Sequence, residues 1–540
     1  MLFNFIFSYS QTTNFYRYQI QFTDKNNNSF FISQPHEYLS AKAIERREKQ
    51  NIIIDTLDLP VTISYIDSVK STGVSVLYSS KWLNSVTVLT ADSLALIKIN
   101  SFPFVKSVSP LGKIASPQNH IITSLNSQFK TECDPDNYYG FAFDQINQVH
   151  GQSLHNKGFK GNGMLIAYLD AGFHNVDLIS AFDSLRNRNG IIATHDFITA
   201  NDSVFDDDNH GTYCLSIVAG NIPGYYVGTA PNADFVLLRT EYAPTEYPIE
   251  EINWAAGAEF ADSIGADVIT SSLGYSVFDD TSFNHTFYDM DGQKTPSSIA
   301  AHIASTKGII VCNSAGNSGS DSTWRFITAP SDADNILTIG AIDSANNYAM
   351  FSGHGPTFDG RIKPDVVGRG ESTWFIDTNF GTVREGNGTS FSCPLIAGLV
   401  ACLWQSHPNK TNWQIMDAIR GSASKYSNPD NNIGYGIPNF AYADLLLSGF
   451  NEQSLLSTDS IIIYPTVFSD EIKFNLKSKI SEEVFIQFID MSGRLIHELC
   501  SFASNGFNEL AINTTKLSAG VYMLKITTSR GLYFEKVIKN

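Results

Sequence analysis

Five short, uninterrupted apolar segments alternate with helical segments between residues 140 and 450. The apolar segments are "MLIAYLDAG", "ADFVLLRT", "ADVITSSLG", "GIIVCNSAGN" and "NILTIGAID", and the helical patterns include "EEINWAAGAEFADSIG" and "PSSIAAHIASTKG". A strand that is apolar at every position is buried on both faces, as in a parallel sheet. The sequence therefore predicts a doubly wound α/β domain over residues 140–450, with ligands bound beyond the carboxyl ends of the strands.

The chain on either side of this domain has a different pattern. Residues 16–112 combine strand-like alternation, as in "YRYQIQFTD" and "VTVLTAD", with helical segments such as "LSAKAIERREKQ", which predicts a small α+β domain. Residues 455–540 alternate again, as in "EIKFNLKSK", which predicts an antiparallel β-sandwich. Residues 113–139 are polar and predict a linker.

Composition limits the kinds of partner that the chain can bind and the kinds of site that its cysteines can form. The chain has 36 basic and 54 acidic residues and a net charge of -18, which argues against nucleic acid as a partner. Its six cysteines are scattered, so they predict neither a disulfide scaffold nor a zinc site. No run of about 18 apolar residues predicts a membrane span. Residues 1–15 fit either an incomplete signal peptide or a first strand.

Three polar residues stand where the α/β domain predicts chain turns: Asp170, His210 and Ser390. Each alone is typical of a cap or a turn. Together they predict a nucleophilic triad, because a serine hydroxyl needs an imidazole to take its proton and the imidazole needs a carboxylate to orient it. The order Asp, His, Ser is the order of subtilisin, and no G-x-S-x-G motif surrounds Ser390.

The segment "EGNGTSFSCPLIAGLVA" (385–401) offers three candidate nucleophiles, Ser390, Ser392 and Cys393. Ser390 directly follows a Gly-Thr turn at a predicted helix start, where backbone N–H groups are unpaired. A cysteine peptidase acting through Cys393 is the alternative. Pro394 is expected in the first helical turn, where its missing N–H costs no helical hydrogen bond.

Three blocks of sequence resemble the catalytic blocks of subtilisin-like serine peptidases, the subtilase family. They are "AYLDAGF" with Asp170, "HGTYCLSIVAG" with His210 and "GTSFSCPLIAG" with Ser390. The resemblance implies a subtilisin-like fold and a secreted endopeptidase that cleaves protein or peptide substrates through an acyl-enzyme. A non-catalytic surface or adhesion protein on the same fold is the alternative.

Further blocks extend the resemblance to the rest of the site. "NSAGNSG" implies that Asn317 is the side-chain donor of the oxyanion hole, and the N–H of Ser390 would be the second donor. Asn317 as a left-handed turn residue is the alternative. "SSLG" implies that Ser272, Leu273 and Gly274 bind the substrate backbone.

Some features depart from the family or stay open. Family members usually carry Ala-Pro-Gly where this chain has "GRG" (368–370), which puts the loop before Ser390 in doubt. Cys214 and Cys393 are expected to be neighbours, either as free buried thiols or as a disulfide. The chemistry implied needs no cofactor. Structural calcium is considered at "DDDNH" (206–210), where a solvated acidic loop is the alternative, and at "YDMDGQ" (288–293).

The flanking domains carry resemblances of their own. Residues 16–112 resemble the propeptides of secreted subtilases, which implies a self-processing zymogen whose N-terminal domain inhibits the enzyme and is cut away within 113–139. A permanent accessory domain is the alternative. The blocks "YPTVFSDEIKF" and "IQFIDMSGRLI" resemble the C-terminal sorting domain of type IX secretion cargo, which implies export across the outer membrane by that machinery. A carbohydrate- or surface-binding sandwich is the alternative there.

Overall fold

The structure is a computed structural model that describes residues 16–112, 138–378, 381–448 and 461–540, the last range without residues 465, 466, 479, 491 and 505. The chain divides into two compact units between Leu447 and Ser448. The predicted signal segment (1–15) and residues 113–137 of the predicted linker lie outside the described residues. Tyr139, which the sequence placed at the linker's end, is buried, and its hydroxyl lies 3.0 Å from His155 Nδ1.

The N-terminal domain, residues 16–112, is a four-stranded antiparallel sheet in the order β2-β3-β1-β4. Its strands are β1 (Tyr16–Phe22), β2 (Ser75–Ser80), β3 (Ser85–Thr90) and β4 (Val105–Gly112). Its helices are α1 (Ala41–Lys49), α2 (Ile63–Lys70) and α3 (Ser93–Asn100). Ile20, Val69, Val86, Val88 and Ile99 fill the core. The predicted α+β domain is confirmed.

A seven-stranded parallel sheet forms the centre of the α/β domain, in the order β13-β12-β11-β10-β5-β9-β6. The strands of this domain are β5 (Leu165–Asp170), β6 (Ile191–Asp196), β7 (Asn221–Ile222), β8 (Tyr226–Val227), β9 (Asp234–Arg239), β10 (Val268–Ser271), β11 (Ile310–Ser314), β12 (Leu337–Ile342), β13 (Val366–Arg369), β14 (Thr373–Ile376) and β15 (Val383–Gly386). All five predicted strands belong to the sheet. The two that the sequence did not predict, β6 and β13, are its edges.

Helices cover both faces of this sheet, as a doubly wound fold requires. They are α4 (Phe143–Asn147), α5 (Gln152–Asn156), α6 (Asp183–Asn187), α7 (His210–Ala219), α8 (Ile249–Ile264), α9 (Pro296–Thr306), α10 (Thr389–Ser406), α11 (Asn412–Ser422) and α12 (Phe440–Leu447). The apolar residues of α7 and α10 join one buried cluster and those of α8 and α9 join the other. Helix α10 is long and apolar enough to cross a membrane, but 89% of it is buried in the protein interior, as expected of a core helix.

The C-terminal unit is a β-sandwich. Its strands are β16 (Ile462–Tyr464), β17 (Val467–Phe468), β18 (Glu471–Ser478), β19 (Glu482–Asp490), β20 (Leu495–Ala503), β21 (Gly506–Asn513), β22 (Gly520–Thr528) and β23 (Gly531–Lys539). They form a three-stranded sheet, β16-β18-β21, and a five-stranded sheet, β17-β23-β22-β19-β20. The pairing is antiparallel as predicted, except that β17 runs parallel to β23. Inward-facing residues such as Phe474, Phe488 and Leu524 form the core.

Candidate active site

Asp170 and His210 meet at the carboxyl edge of the parallel sheet. Asp170 is the last residue of β5 and is 1% exposed, and His210 is the first residue of α7. His210 Nδ1 lies 2.7 Å from Asp170 Oδ1. Burial lowers the pKa of His210, but the Asp170 carboxylate outweighs it, so that the pKa of this imidazole lies well above 6.5. The contact with Asp170 holds the ring through Nδ1, as a general base requires.

Ser390 stands at the start of α10, which brings it to the same edge. It is the second residue of this helix, directly after the N-cap Gly388 and Thr389. Its hydroxyl lies 3.4 Å from the carbonyl oxygen of Ser272 and, among the described contacts, is not hydrogen-bonded to His210. Cys214, one turn after His210 on α7, places its sulfur 3.2 Å from the carbonyl oxygen of Ser390. The amino ends of α7 and α10 are thus neighbours.

The prediction that Pro394 lies in the first turn of the helix was wrong. Because α10 begins at Thr389, Pro394 lies inside the helix, and its missing N–H deprives the carbonyl of Ser390 of its helical donor. Ser272 Oγ donates to this oxygen at 2.9 Å and Cys214 Sγ at 3.2 Å. Two side chains from other elements therefore replace one backbone hydrogen bond and hold the main chain of the nucleophile candidate.

Asn317 is oriented by the residue that precedes Ser390. Its Oδ1 accepts a hydrogen bond from the N–H of Thr389 at 2.8 Å, and the Thr389 hydroxyl lies 3.0 Å from the same oxygen. The amide nitrogen is thereby turned the other way. A Cβ built on Gly388 would lie 3.6 Å from Ser390 N and 3.7 Å from Asn317 Nδ2, so both nitrogens border one space. The left-handed residue of this turn is Gly316, with φ +93°, rather than Asn317.

The segment Ser272–Gly274 follows β10 directly and lies beside Ser390 through the two contacts of Ser272. Asn313 Nδ2 donates to the carbonyl of Leu273 at 3.1 Å. A Cβ on Gly274 would lie 2.1 Å from Thr328 Oγ1, so a side chain there would force Thr328 to move. The structure thus brings all seven residues singled out in the sequence to one edge of the sheet.

The N-terminal domain ends in the same buried cluster that Leu273 joins. Leu111 is 4% exposed and belongs to the buried cluster against which Leu273 packs. Gly112, with φ +94°, lies so close to Tyr247 that a Cβ on it would be 2.3 Å from a ring carbon. The last strand of the N-terminal domain therefore ends against Tyr247, just before α8 begins.

The cysteines near the site are free thiols in the interior. Cys214 and Cys393 are both fully buried, and no disulfide joins them. Cys393 Sγ lies 3.6 Å from the carbonyl oxygen of Ser271 and from Thr270 Oγ1. Burial raises the pKa of Cys393 to about 12, so this sulfur is a thiol at neutral pH. These features are those of a structural cysteine, and they argue against Cys393 as a nucleophile.

The loops that the sequence suggested for calcium use their carboxylates in protein contacts. Asp207 pairs with Arg239 at 2.8 Å, and Asp208 accepts from the N–H of His210 at 2.8 Å. Asp291 lies 3.4 Å from Lys294. The sequence did not point to a further group of three carboxylates in the described chain, Glu241, Glu246 and Glu250, whose oxygens lie within 4.8 Å of one another. Their close spacing would suit a cation.

The "GRG" segment that departs from the family pattern still supports the turn before Ser390. Gly388 N donates to the carbonyl of Gly370 at 2.8 Å, and Arg369 Nε donates to Gln148 Oε1 at 2.8 Å. A Cβ on Gly370 would lie 2.5 Å from the side chain of Ala341, so this glycine is needed for close packing. The segment is thus anchored on both sides.

Comparison with known proteins agrees with this geometry. The model of the subtilase family, peptidase S8, matches residues 161–436, which is just over half of the chain. The model of the peptidase S8 propeptide domain of Bacteroidota matches residues 17–124, and that of a secretion system C-terminal sorting domain matches residues 462–540. The fold and these matches define a serine peptidase of the subtilisin class.

The chain belongs to the subtilase family. It is a serine endopeptidase with an N-terminal propeptide domain and a type IX sorting tail. The tail indicates export to the cell surface or the extracellular medium.

Individual relatives are distant. Serine protease AprX of Bacillus subtilis (strain 168) is 29% identical over 340 residues, which cover 58% of this chain and 71% of AprX. Subtilisin BL of Lederbergia lenta is 29% identical over 298 residues, 54% of this chain and 95% of that protein. Among solved structures, MycP1 from Mycobacterium smegmatis is 22% identical with a TM-score of 0.45 and covers 61% of this chain and 92% of MycP1.

Proposed function

We propose that Ser390, His210 and Asp170 are the catalytic triad of this endopeptidase. Ser390 Oγ attacks the carbonyl carbon of the peptide bond while His210 takes the hydroxyl proton and then delivers it to the leaving amine. Asp170 keeps the imidazole in the required tautomer and stabilises its charge. The contact between His210 Nδ1 and Asp170 Oδ1 at 2.7 Å carries the proposal. Rotation of the Ser390 hydroxyl from the Ser272 carbonyl toward His210 completes the triad.

The oxyanion of the tetrahedral intermediate binds in the space beside Gly388. Its donors are the N–H of Ser390 and Nδ2 of Asn317, which border that space. These donors are oriented before the substrate arrives, because Thr389 holds the other end of the Asn317 amide. The triad and the two donors come from the chain itself, so the reaction needs no cofactor. Calcium, where it binds, stabilises the fold.

Substrate peptides bind along Ser272, Leu273 and Gly274, and the end of the N-terminal domain competes for that place. The position of Leu111 in the cluster that Leu273 joins supports this role. The chain is therefore a zymogen that cuts itself between the N-terminal domain and the peptidase domain and is inhibited until the N-terminal domain withdraws from the cleft.

Replacement of Ser390 tests the mechanism. The variant Ser390→Ala should lose peptide hydrolysis and self-cleavage together, and a serine-directed fluorophosphonate should label the wild-type peptide that contains Ser390. Ser392→Ala is the matched control, because the Ser392 hydroxyl is buried and donates to the carbonyl of Thr389 at 3.0 Å. Normal processing of purified Ser390→Ala would refute the assignment. Activity lost in Cys393→Ser but kept in Ser390→Ala would indicate a cysteine peptidase.

A further inference from the structure

Helix α8 of the peptidase domain carries a buried carboxylate that is bound by the N-terminal domain. The Asp262 side chain is 0% exposed, and three cations from the N-terminal domain reach it. Arg46 Nη2 lies 2.5 Å, Arg47 Nη2 2.8 Å and Lys81 Nζ 2.9 Å from its oxygens. Every hydrogen-bond partner of this carboxylate among the described residues belongs to the N-terminal domain. Asp262 therefore has a counter-charge only while that domain is bound.

A second carboxylate on the same helix has the same dependence. Glu259 accepts hydrogen bonds from the N–H of Lys81 at 2.7 Å, from the N–H of Trp82 at 3.1 Å and from the hydroxyl of Ser80. All three donors lie at the turn between β2 and β3 of the N-terminal domain. Helix α8 thus presents two carboxylates, one turn apart, to one partner surface.

A cation of the peptidase domain also pairs with carboxylates of the N-terminal domain. Lys307 of the peptidase domain has a side chain that is 3% exposed, and its Nζ lies 2.9 Å from Asp55 Oδ1 and 2.9 Å from Asp58 Oδ2. Asp58 in turn lies 2.6 Å from Arg47. We name this set the basal ion cluster; it comprises Arg46, Arg47, Asp55, Asp58 and Lys81 of the N-terminal domain with Asp262 and Lys307 of the peptidase domain.

Arg46 additionally binds the carboxyl ends of two helices. Its Nε donates to the carbonyl of Lys307 at 3.1 Å and its Nη1 to that of Ala266 at 2.5 Å. These carbonyls follow α9 and α8, where unpaired C=O groups give a helix end a partial negative charge. The guanidinium therefore recognises a specific arrangement of two helix ends as well as one carboxylate.

The basal ion cluster lies far from the catalytic edge. The contact of Gly112 with Tyr247 comes just before α8 begins, whereas Asp262 is close to its end. A helix of 16 residues is about 24 Å long, at about 1.5 Å a residue. The N-terminal domain is therefore attached at both ends of α8, and also between them, where the Tyr78 hydroxyl donates to Asn253. Only the Tyr247 end of α8 follows the carboxyl end of a strand of the parallel sheet.

We propose that the basal ion cluster is a docking site that holds the N-terminal domain on the peptidase domain independently of its contact at the cleft. Withdrawal of Leu111 and Gly112 from the cleft and departure of the domain are then separate events. Buried ion pairs are screened little by salt, and loss of one member leaves an uncompensated buried charge. The chain can thus expose its active site while it keeps its N-terminal domain. This inference rests on the proposed function only in taking the cleft as the active site.

The first test measures retention without relying on activity. A Ser390→Ala chain with a site-specific protease sequence inserted within residues 113–137 is cut by the added protease, and the affinity between the two pieces is measured after dilution. Asp262→Asn should weaken this affinity by about 10²- to 10³-fold. Asp417→Asn is the matched control, because the Asp417 side chain is 77% exposed and lies on α11. Equal affinity in the two variants would overturn the proposal.

A milder variant tests the same cluster in case Asp262→Asn fails to fold. Lys81→Met removes one of the three cations on Asp262 and should weaken retention by about tenfold, with circular dichroism unchanged. Unchanged retention in this variant also contradicts the proposal.

A second test separates the two attachments in the active chain. Leu111→Asp should disrupt the contact at the cleft, so that peptide hydrolysis appears while the N-terminal domain stays bound. Release of the domain in Leu111→Asp as complete as in Asp262→Asn would overturn the docking site. Retention without hydrolysis would support the docking site and contradict the proposed inhibition at the cleft.

Discussion

The side-chain oxygen of Asn317 lies 2.8 Å from the backbone nitrogen of Thr389, the residue before Ser390. This hydrogen bond fixes which end of the Asn317 amide faces the space beside Gly388. It joins the loop after β11 to the first residue of α10, so the orientation of the Asn317 amide depends on Thr389.

Loss of either partner should therefore lower turnover. We expect Asn317→Leu to reduce kcat by about 10²- to 10³-fold, a range taken from loss of this donor in subtilisin itself rather than from the geometry of this chain. Thr389→Val removes the hydroxyl but keeps the N–H bond, so its effect should be smaller. KM should change little in both variants. Steady-state kinetics on a peptide substrate give the measurement, and an unaffected kcat in Asn317→Leu would exclude Asn317 from the oxyanion hole.

Activity should decrease as the pH is lowered, and this decrease should begin above pH 6.5. The Asp170 carboxylate raises the pKa of His210 against the opposing effect of burial, and a general base acts only when it is neutral. As pH falls through the raised pKa, His210 is protonated and kcat/KM decreases. Asp170→Asn should move this acid limb to lower pH and reduce kcat by about 10⁴-fold. A pH–rate profile tests both effects, and an acid limb that stays in place in Asp170→Asn would contradict the pairing.

The fold of the catalytic core was largely readable from the sequence, because central parallel strands are apolar at every position. Strands β5, β9, β10, β11 and β12 stand out for this reason. The edge strand β6 was missed since its burial is partial, as in Ile192, which is 48% exposed. The meeting of Asp170, His210 and Ser390 at one edge of the sheet was also predictable, because each lies at the end or the start of a regular element.

The contacts between the domains were not predictable in the same way. Arg46 and Arg47 lie in the strongly charged segment "AKAIERREK", a composition typical of a solvated helix. Their burial depends on Asp262, more than 200 residues further along the chain, and no local pattern encodes such a pairing. Pro394 was misplaced for a similar reason, since the donors that replace its N–H come from Ser272 and Cys214.

Because Ser272 and Cys214 replace the N–H that Pro394 lacks, a single and a double variant should differ in stability. Ser272→Ala removes the 2.9 Å donor to the Ser390 carbonyl and leaves only the weak thiol donor of Cys214. We expect a loss of about 1 kcal/mol in the free energy of unfolding and a lower kcat. Adding Pro394→Ala should recover part of the stability, because its N–H can donate to the same oxygen. Denaturation of both variants in the Ser390→Ala background avoids self-digestion, and no recovery would show that the carbonyl is satisfied otherwise.

The carboxylate group beside Tyr247 should make stability depend on pH. Burial, together with the charge of Glu246, raises the pKa of Glu250 to about 9, and burial raises that of Glu246 to about 7. Because these values exceed the ordinary 4.5, the stability they contribute is full below about pH 4.5 and is lost as pH rises through about 7 to 9. The unfolding temperature should thus decrease from pH 5 to pH 9.

Glu250→Gln should flatten this dependence, since its side chain stays neutral throughout. Glu45→Gln is the control, because Glu45 is exposed and pairs with Lys49 on α1. Thermal unfolding of Ser390→Ala chains at several pH values gives the comparison. An equal slope in Glu250→Gln and the control would show that these carboxylates do not govern the dependence.

The carbonyl of Ser390 is held by Cys214 of α7 and by Ser272 after β10, while Asn317 after β11 is held by Thr389. Four segments that are far apart in the chain must each be in place before Ser390 and Asn317 have their final geometry. A chain in which one of these four segments is out of place should therefore be unable to cut a peptide bond. We therefore expect proteolytic activity to appear late in folding, after the parallel sheet and α10 have assembled.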